Sequence, residues 1–264
     1  MTIRVAVNGA LGKMGKTVAK AVHADPELEL VAAVDLQEGI KLSSLPGLEE
    51  INLTVQNDLA AALKQTKPDV LIDFTSPFTV MQNIETALSH QVRPVVGTTG
   101  ITEADLTKIT AWSKQYKTPV FIAPNFAIGA VLMMLFAVQA AKFLPDVEII
   151  ELHHAQKLDA PSGTALKTAE MINKVRTKKA AKAAELEKVP HVRGGDLEGI
   201  RLHSIRLPGL IAHQEVIFGG LGQTLSIRHD SMDRTSFIPG VLMSVKAVMK
   251  QEGVIYGLEN ILNL

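Results

Sequence analysis

The stretch Ile3-Arg-Val-Ala-Val-Asn8-Gly9-Ala-Leu-Gly12-Lys-Met-Gly15 decides the fold. An apolar run ends at Asn8, glycines follow at 9, 12 and 15, and Val18, Ala19 and Val22 then recur at helical spacing. Strand, glycine loop and helix, in that order, are the context that a dinucleotide phosphate needs: close backbone approach, then free N–H groups and a positive dipole at the helix start. A second apolar run over 28–34 closes on Asp35, 20 residues past Gly15, where a carboxylate can accept from ribose hydroxyls. Gly9, Ala10, Leu11, Gly12, Lys13, Met14 and Asp35 are therefore the expected cofactor-binding group.

Beyond 35 the alternation continues. Strands are expected over 69–75, 92–96 and 120–123, with helices over 78–90 and 103–116, a rhythm that implies a parallel sheet of the Rossmann type. Ligands of such sheets sit at the carboxyl ends of the strands. Gly97, Thr98 and Thr99, with Ala123, Pro124, Asn125 and Phe126, are the turns expected on the nicotinamide side. The stretch 39–57 reads as a surface excursion with at most one short strand. After 125 the pattern changes to one long apolar helix, a strand, a helical region and then three strand-like runs around 200–207, 213–218 and 223–229. The fold class is α/β, with an N-terminal dinucleotide-binding domain over 1–125 plus about 236–264. A second α+β domain over 126–235 would serve substrate binding and oligomerisation.

The chain has 264 residues, with 27 basic and 27 acidic side chains, so no net charge points to nucleic acid or an anionic membrane. A small-molecule ligand fits better. No cysteine is present, which excludes disulfides, a thiolate nucleophile and a cysteine zinc site, and suits a cytoplasmic protein. The first residues show no targeting pattern. The apolar segment 129–144 is shorter than the roughly 20 residues that span a bilayer and reads as a buried helix. The run 174–188 carries six basic residues against two glutamates and reads as a solvated helix face, with a basic flap near an acidic ligand as the alternative.

The chemistry is densest in 151–166, Glu-Leu-His-His-Ala-Gln-Lys-Leu-Asp-Ala-Pro-Ser-Gly-Thr-Ala-Leu. It follows a strand expected over 146–152 and enters a helix over 164–175, where Ala165, Leu166, Ala169 and Ile172 repeat at helical spacing. A ligand carboxylate could meet the N–H groups of Gly163 and Thr164, the Ser162 or Thr164 hydroxyls and the Lys157 charge together. His153 and His154 stand where the strand ends, and an imidazole titrating near neutrality suits proton transfer. If the strand persists they face opposite ways, so one of them is open to a packing role. Asp159 reads as a cap for the following turn rather than a catalytic acid. His203, His213 and His229 lack metal-ligand spacing, and no metal site is expected.

These motifs together resemble the 4-hydroxy-tetrahydrodipicolinate reductases, formerly called dihydrodipicolinate reductases, over essentially the whole chain. The resemblance rests on 7–15, Asp73-Phe-Thr-Ser-Pro77, Gly97-Thr-Thr-Gly100, Ala123-Pro-Asn-Phe126 and above all 151–165, with His203-Ser-Ile-Arg206 and Ile227-Arg-His-Asp-Ser231 in support. It implies hydride transfer from NADH or NADPH to a cyclic, imine-bearing dicarboxylate with loss of water, in lysine and diaminopimelate biosynthesis. It also implies a homotetramer assembled through the second domain's sheet. By position, His153 and Lys157 match the family's acid/base residues, and His154, Gly163 and Thr164 match its substrate contacts. The chain departs from the family at Leu11, where a small residue or glycine is frequent, and at Lys13, frequently arginine. At Leu36 some members carry arginine, so coenzyme choice stays open. Asp35 favours two ribose hydroxyls, Lys13 offers one cation to a 2′-phosphate, and use of both coenzymes with NADH equal or modestly preferred is expected.

Two other readings remain. One is a different two-domain NAD(P)-dependent amino-acid or semialdehyde dehydrogenase, which would give no reason for Lys157 and the Pro-Ser-Gly-Thr turn. The other is a non-catalytic nucleotide-binding regulator, against which His153 and Lys157 argue.

Overall fold

A computed structural model describes residues 2–177 and 186–262. Its contacts divide the chain into two units, Met1–Phe126 with Phe237–Leu264, and Ala127–Ser236.

The first unit is a six-stranded sheet in which every pairing is parallel. Strands β1 (Ile3–Asn8), β2 (Leu28–Val34), β3 (Val70–Asp73), β4 (Arg93–Val96) and β5 (Val120–Ile122) follow the expected rhythm. The last strand of the chain, β11 (Val254–Tyr256), adds an edge that apolar periodicity does not announce, giving the order β11-β5-β4-β3-β1-β2. Strand β1 lies between β2 and β3, so the order reverses there and a crevice opens beyond its carboxyl end. Residues 3–8 end in four consecutive buried positions, as a strand covered on both faces requires.

Helices α1 (Lys13–Ala24), α3 (Val80–Ser89) and α4 (Glu103–Tyr116) supply the crossovers. Helix α2 (Leu59–Thr66) was not anticipated; its eight Ala- and Leu-rich residues start at Asp58, whose carboxylate accepts from the Ala61 N–H. The excursion over 39–57 differs from expectation. It forms two isolated bridges, Val34 to Gln56 and Lys41 to Thr54, and buries Leu42, Leu48, Ile51 and Val55. It is a small lobe of the core rather than a surface loop. Helix α7 (Ile238–Val248) returns to this unit, with Val241, Val245 and Val248 buried.

The second unit begins with α5 (Ile128–Ala141), whose Ala130, Val131, Met133, Met134, Ala137 and Ala141 are buried. Among the described residues no helix is long and apolar enough to cross a membrane. Five strands follow: β6 (Asp146–His153), β7 (Gly195–Leu197), β8 (Ile200–Arg206), β9 (Ala212–Gly220) and β10 (Gln223–Ser231), in the order β10-β9-β6-β8-β7. Strand β6 is central, antiparallel to β9 and parallel to β8. Helix α6 (Gly163–Asn173) connects β6 to the rest and ends earlier than the sequence pattern suggests. Of the basic run 174–188, residues 178–185 lie outside the described residues.

Candidate active site

In the first unit the glycine loop is built by backbone geometry. Gly9 has φ +80°, and a Cβ there would lie 2.3 Å from the Phe74 carbonyl oxygen; a Cβ on Gly15 would lie 2.0 Å from the Gly9 oxygen. Only glycine admits this turn and this approach of α1 to it. Gly12 caps α1 with no side-chain bond, and the first turn carries no acidic residue. The N–H groups of Lys13, Met14 and Gly15 meet no acceptor among the described residues. By contrast, Thr102 and Asp105 close a full capping box on α4. Helix α1 is thus the one of the pair left open to an anion.

Asp35 draws the loop to the second strand: its Oδ2 accepts from Leu11 N–H at 2.8 Å and its Oδ1 from Leu36 N–H at 2.7 Å. A cleft of about 720 Å³ spreads from here, lined by Gly9, Leu11, Gly12, Lys16, Asp35, Leu36, Asn57, Thr75 and Asn83 among others. Lys13 does not line it. Lys13 is exposed on the first turn of α1, while Lys16, one turn on, reaches the cleft beside Asp35 and Leu36. Ala10 is fully buried and also absent from the lining, as is Met14.

The turns at 97–99 and 123–126 follow the carboxyl ends of β4 and β5 and do not line the cleft beside Asp35. Thr98 is buried, donating to Asp73 Oδ1 at 2.6 Å and accepting from Thr75 N–H at 2.8 Å. A Cβ on Gly97 would enter the Phe74 ring at 2.1 Å. Phe126 is buried, with the Phe74 and Phe121 ring centroids 5.8 and 6.1 Å away. Ala123 is buried and donates to the Val96 carbonyl. Thr99 and Pro124 are exposed and Asn125 is half-buried.

Sequence reasoning missed the hub of this unit. Asp73 is fully buried and its carboxylate accepts five bonds: Oδ1 from Thr98, the Thr75 hydroxyl and the Thr75 N–H, and Oδ2 from the Asn8 and Asn83 amides, both at 2.9 Å. It ties the ends of β1, β3 and β4 to α3.

In the second unit β6 ends at His153, and Glu151 lies two residues earlier on the same face. Glu151 is buried. Arg206 grips both its oxygens, at 2.8 and 2.7 Å, and His153 Nδ1 lies 2.5 Å from Oε2. The register pairs His153 with Arg206 across β6 and β8, which brings the guanidinium to this point. Ser162 N–H donates to Glu151 Oε1 at 3.2 Å, so the start of α6 is pinned to the same carboxylate. Arg206 also donates to the Asp159 carbonyl at 2.8 Å. Burial raises the Glu151 carboxyl, but hydrogen bonds from Arg206, Ser204 and His153 outweigh it and hold the group below the usual glutamate range. Burial pushes the His153 imidazole down; Glu151 pulls it up, Lys157 and Arg206 push it down, and the net direction is downward.

Helix α6 is capped by Ser162, whose hydroxyl oxygen accepts from Ala165 N–H at 3.2 Å. Ser162 is buried and its oxygen is therefore engaged in the helix start, leaving Thr164 as the partly exposed hydroxyl. The N–H groups of Gly163 and Thr164 meet no acceptor among the described residues. A Cβ on Gly163 would meet nothing within 4 Å, so the fold itself does not demand glycine there. Lys157 donates to both oxygens of Asp159, at 2.7 and 2.8 Å. Asp159 is therefore the ion-pair partner of Lys157, and the capping role expected for it belongs to Ser162. His154 is exposed, just past the strand, and its carbonyl accepts from Lys157 N–H. His203 and His213 pair with Glu148 and Asp230, and the described residues contain no cluster able to hold a metal.

Comparison with known proteins divides the sequence at nearly the same first junction, although the second family model runs on through the segment that packs in the first unit. Residues 3–126 match the family model described as dihydrodipicolinate reductase, N-terminus, and residues 129–262 match dihydrodipicolinate reductase, C-terminus. The chain is 54% identical over 261 residues to the 4-hydroxy-tetrahydrodipicolinate reductase of Syntrophomonas wolfei, covering 98% of each chain. It is 53% identical over 262 residues to that of Halalkalibacterium halodurans, covering 98% of this chain and 99% of the relative. Among solved structures it is similar to a dipicolinate-bound dihydrodipicolinate reductase from Paenisporosarcina sp. TG-14, with 46% identity, a TM-score of 0.88 and coverage of 99% and 100% of the two chains.

Proposed function

The chain belongs to the dihydrodipicolinate reductase family, and on that premise we infer that it reduces 4-hydroxy-tetrahydrodipicolinate to tetrahydrodipicolinate with NAD(P)H, a step of lysine and diaminopimelate biosynthesis. The overall change balances: substrate, reduced nucleotide and a proton give tetrahydrodipicolinate, oxidised nucleotide and water.

The first unit fits a pyridine nucleotide. Its open α1 terminus, the Gly9 and Gly15 approaches and the Asp35 carboxylate beside the cleft offer, in turn, donors to a pyrophosphate, room for it and an acceptor for ribose. When bound, the reduced nicotinamide supplies the hydride. Asp35 already receives two N–H bonds yet keeps lone pairs on both oxygens for hydroxyls. Lys16 supplies one cation next to it and Leu36, 90% exposed, supplies none, so we read the enzyme as using both coenzymes with NADH equal or modestly preferred.

The observation that carries the substrate assignment is the unanswered pair of N–H groups at Gly163 and Thr164, beside Lys157 and His153 in the chain. One substrate carboxylate is received by those N–H groups and the Thr164 hydroxyl, and Lys157 turns from Asp159 to it. That exchange is inexpensive, because an exposed ion pair contributes only about 0–1 kcal/mol. Loss of the ring hydroxyl as water leaves a conjugated imine; hydride addition moves an electron pair onto the ring, and the Nε2 proton of His153 answers it. In the ligand-free protein burial keeps His153 below its usual value, and two arriving carboxylates favour its charged form. His154 adds a donor at the rim.

We also read the chain as a homotetramer. On β6, half-buried Glu148, Ile150 and Leu152 alternate with buried Val147, Ile149 and Glu151, leaving a partly apolar second sheet face for another copy. Light scattering checks that state, and fractionation checks the cytoplasmic placement. Turnover is tested by following absorbance at 340 nm with NADH, then NADPH, on substrate made fresh by the upstream synthase; loss of absorbance that requires that synthase supports the reading, and no loss with either coenzyme refutes it.

A further inference from the structure

We propose that Glu151 is a positioning residue for this reaction, fixing His153 as the Nδ1–H tautomer and fastening the carboxylate-binding start of α6 to the proton donor. The inference rests on the function assigned above and goes beyond the residues that touch ligand.

Glu151 has 1% of its side chain exposed, so it has no surface to offer a substrate. Its carboxylate instead receives four groups that belong to three separate parts of the site. His153 comes from the end of its own strand, Arg206 from the end of β8, and Ser162 N–H from the cap of α6. A Ser204 bond completes the set. A carboxylate is acceptor-only when ionised, so the His153 nitrogen facing it carries the proton, and Nε2 is left for the ligand. A protonated Nε2 then gives an imidazolium whose charge is balanced at Nδ1 by a carboxylate that moves no proton itself. The Ser162 bond does the second task. The helix start that receives a substrate carboxylate and the imidazole that delivers the proton hang from the same two oxygens, so their spacing is set by one side chain.

A purely structural ion pair would stabilise the sheet edge and leave the acid chemistry alone, and the pH profile separates the two. The charged groups facing His153 are Glu151, Lys157 and Arg206, with Asp159 held on Lys157. Of these only Glu151 directly favours the imidazolium. In Glu151→Gln the two cations and burial act unopposed, so the limb on which activity falls as pH rises should move to lower pH by about one unit. At pH 7 kcat should fall about 10–100-fold with the substrate KM within about threefold. Glu151→Asp keeps the charge and should keep the limb near its wild-type position even if kcat drops. In a His153→Gln background, Glu151→Gln should cost several-fold less than in wild type, since no imidazole is left to act through and only the loosened α6 start remains.

An unmoved pH limb in Glu151→Gln, or a full loss in the His153→Gln background, overturns the proposal. If Glu151→Gln does not fold, long-range proton–nitrogen NMR on wild-type protein decides: a protonated Nδ1 on His153 at neutral pH supports the proposal, and a protonated Nε2 with bare Nδ1 overturns it. Wild-type protein that shows the Nδ1–H tautomer yet turns over no substrate would refute the function and not the dyad.

Discussion

Replacing Asp73 tests whether one buried carboxylate assembles the nucleotide half of the enzyme. In Asp73→Ala the Asn8 amide, 5% exposed, loses its partner, and the Thr98 hydroxyl, 7% exposed, keeps only the Asp73 carbonyl at 3.4 Å, too long to satisfy it fully. A buried polar group left unmet costs about 1–3 kcal/mol, so two cost about 2–6. Removing a desolvated charge returns part of that, and a net loss of about 3 kcal/mol is expected. Asn83 is spared, because its amide also reaches the Thr75 hydroxyl at 3.1 Å. In Asp73→Asn the amide oxygen can face the Asn8 and Asn83 amides while its NH₂ donates to the rotatable threonine hydroxyls. The Thr75 N–H then faces the new NH₂ but keeps the Thr98 hydroxyl oxygen at 2.8 Å, so the exchange costs about 1 kcal/mol. The single tryptophan of the chain, Trp112, packs on the core of this unit, so its fluorescence in urea reports the unit directly. With a slope of roughly 2 kcal/mol per molar, the Asp73→Ala midpoint should fall by about 1.5 M and that of Asp73→Asn by about 0.5 M. Asn8, Thr75 and Asn83 also line the cleft, so Asp73→Ala should weaken dinucleotide binding. An Asp73→Ala midpoint within about 0.3 M of wild type, or Asn costing more than Ala, would refute the reasoning.

Other outcomes follow from the same geometry. His153→Gln and Lys157→Ala should each lower kcat, His153→Gln by about 10²–10⁴-fold, with the nucleotide Kd unchanged; Thr164→Val should act mainly on substrate KM, as steady-state kinetics will show. Lys16→Ala should lower kcat/KM with NADPH about tenfold relative to NADH, the scale of a charge-assisted hydrogen bond, whereas Lys13→Ala should leave the ratio unchanged; the reverse would return the cation to Lys13. The second unit should lose stability on acidification. His153 and His229 lie below their usual 6.5 when folded, so the unfolded chain takes up their protons first and stability falls as pH drops from about 6.5. Glu148 and Glu151 lie below their usual 4.5, and the stability they add above that value is lost as pH falls further through their folded values. Thermal melts between pH 8 and pH 3 check this, and a melting temperature independent of pH over that range would contradict it.

How legible each part was depends on the kind of force involved. Gly9 and Gly15 could be read from sequence because backbone contact admits no other residue, and the helices around them because their apolar spacing is regular. Strands β7 and β11 have three residues each, too few to show a period, and are defined by the neighbours they pair with. The lobe at 39–57 hides four buried side chains in an irregular chain path, where no repeat marks them. In the second unit, His153, Lys157 and the α6 start were visible as a local cluster. Glu151 shares a strand face with His153 and could have been found by alternation. Arg206 could not, since only the register of β8 against β6 places it there. Lys13 and Lys16 lie about one helical turn apart, and it is the phase of α1, which composition does not carry, that turns Lys16 to the cleft.

The central claim is that this chain moves a hydride from a pyridine nucleotide to the ring of 4-hydroxy-tetrahydrodipicolinate as water leaves. Mass spectrometry of the product made with NADH bearing deuterium at the transferable position tests it most directly. The account predicts tetrahydrodipicolinate carrying a single deuterium, formed in step with oxidised nucleotide and at least about 10²-fold more slowly in His153→Gln. Product without deuterium, or loss of water while the nucleotide stays reduced, would contradict it.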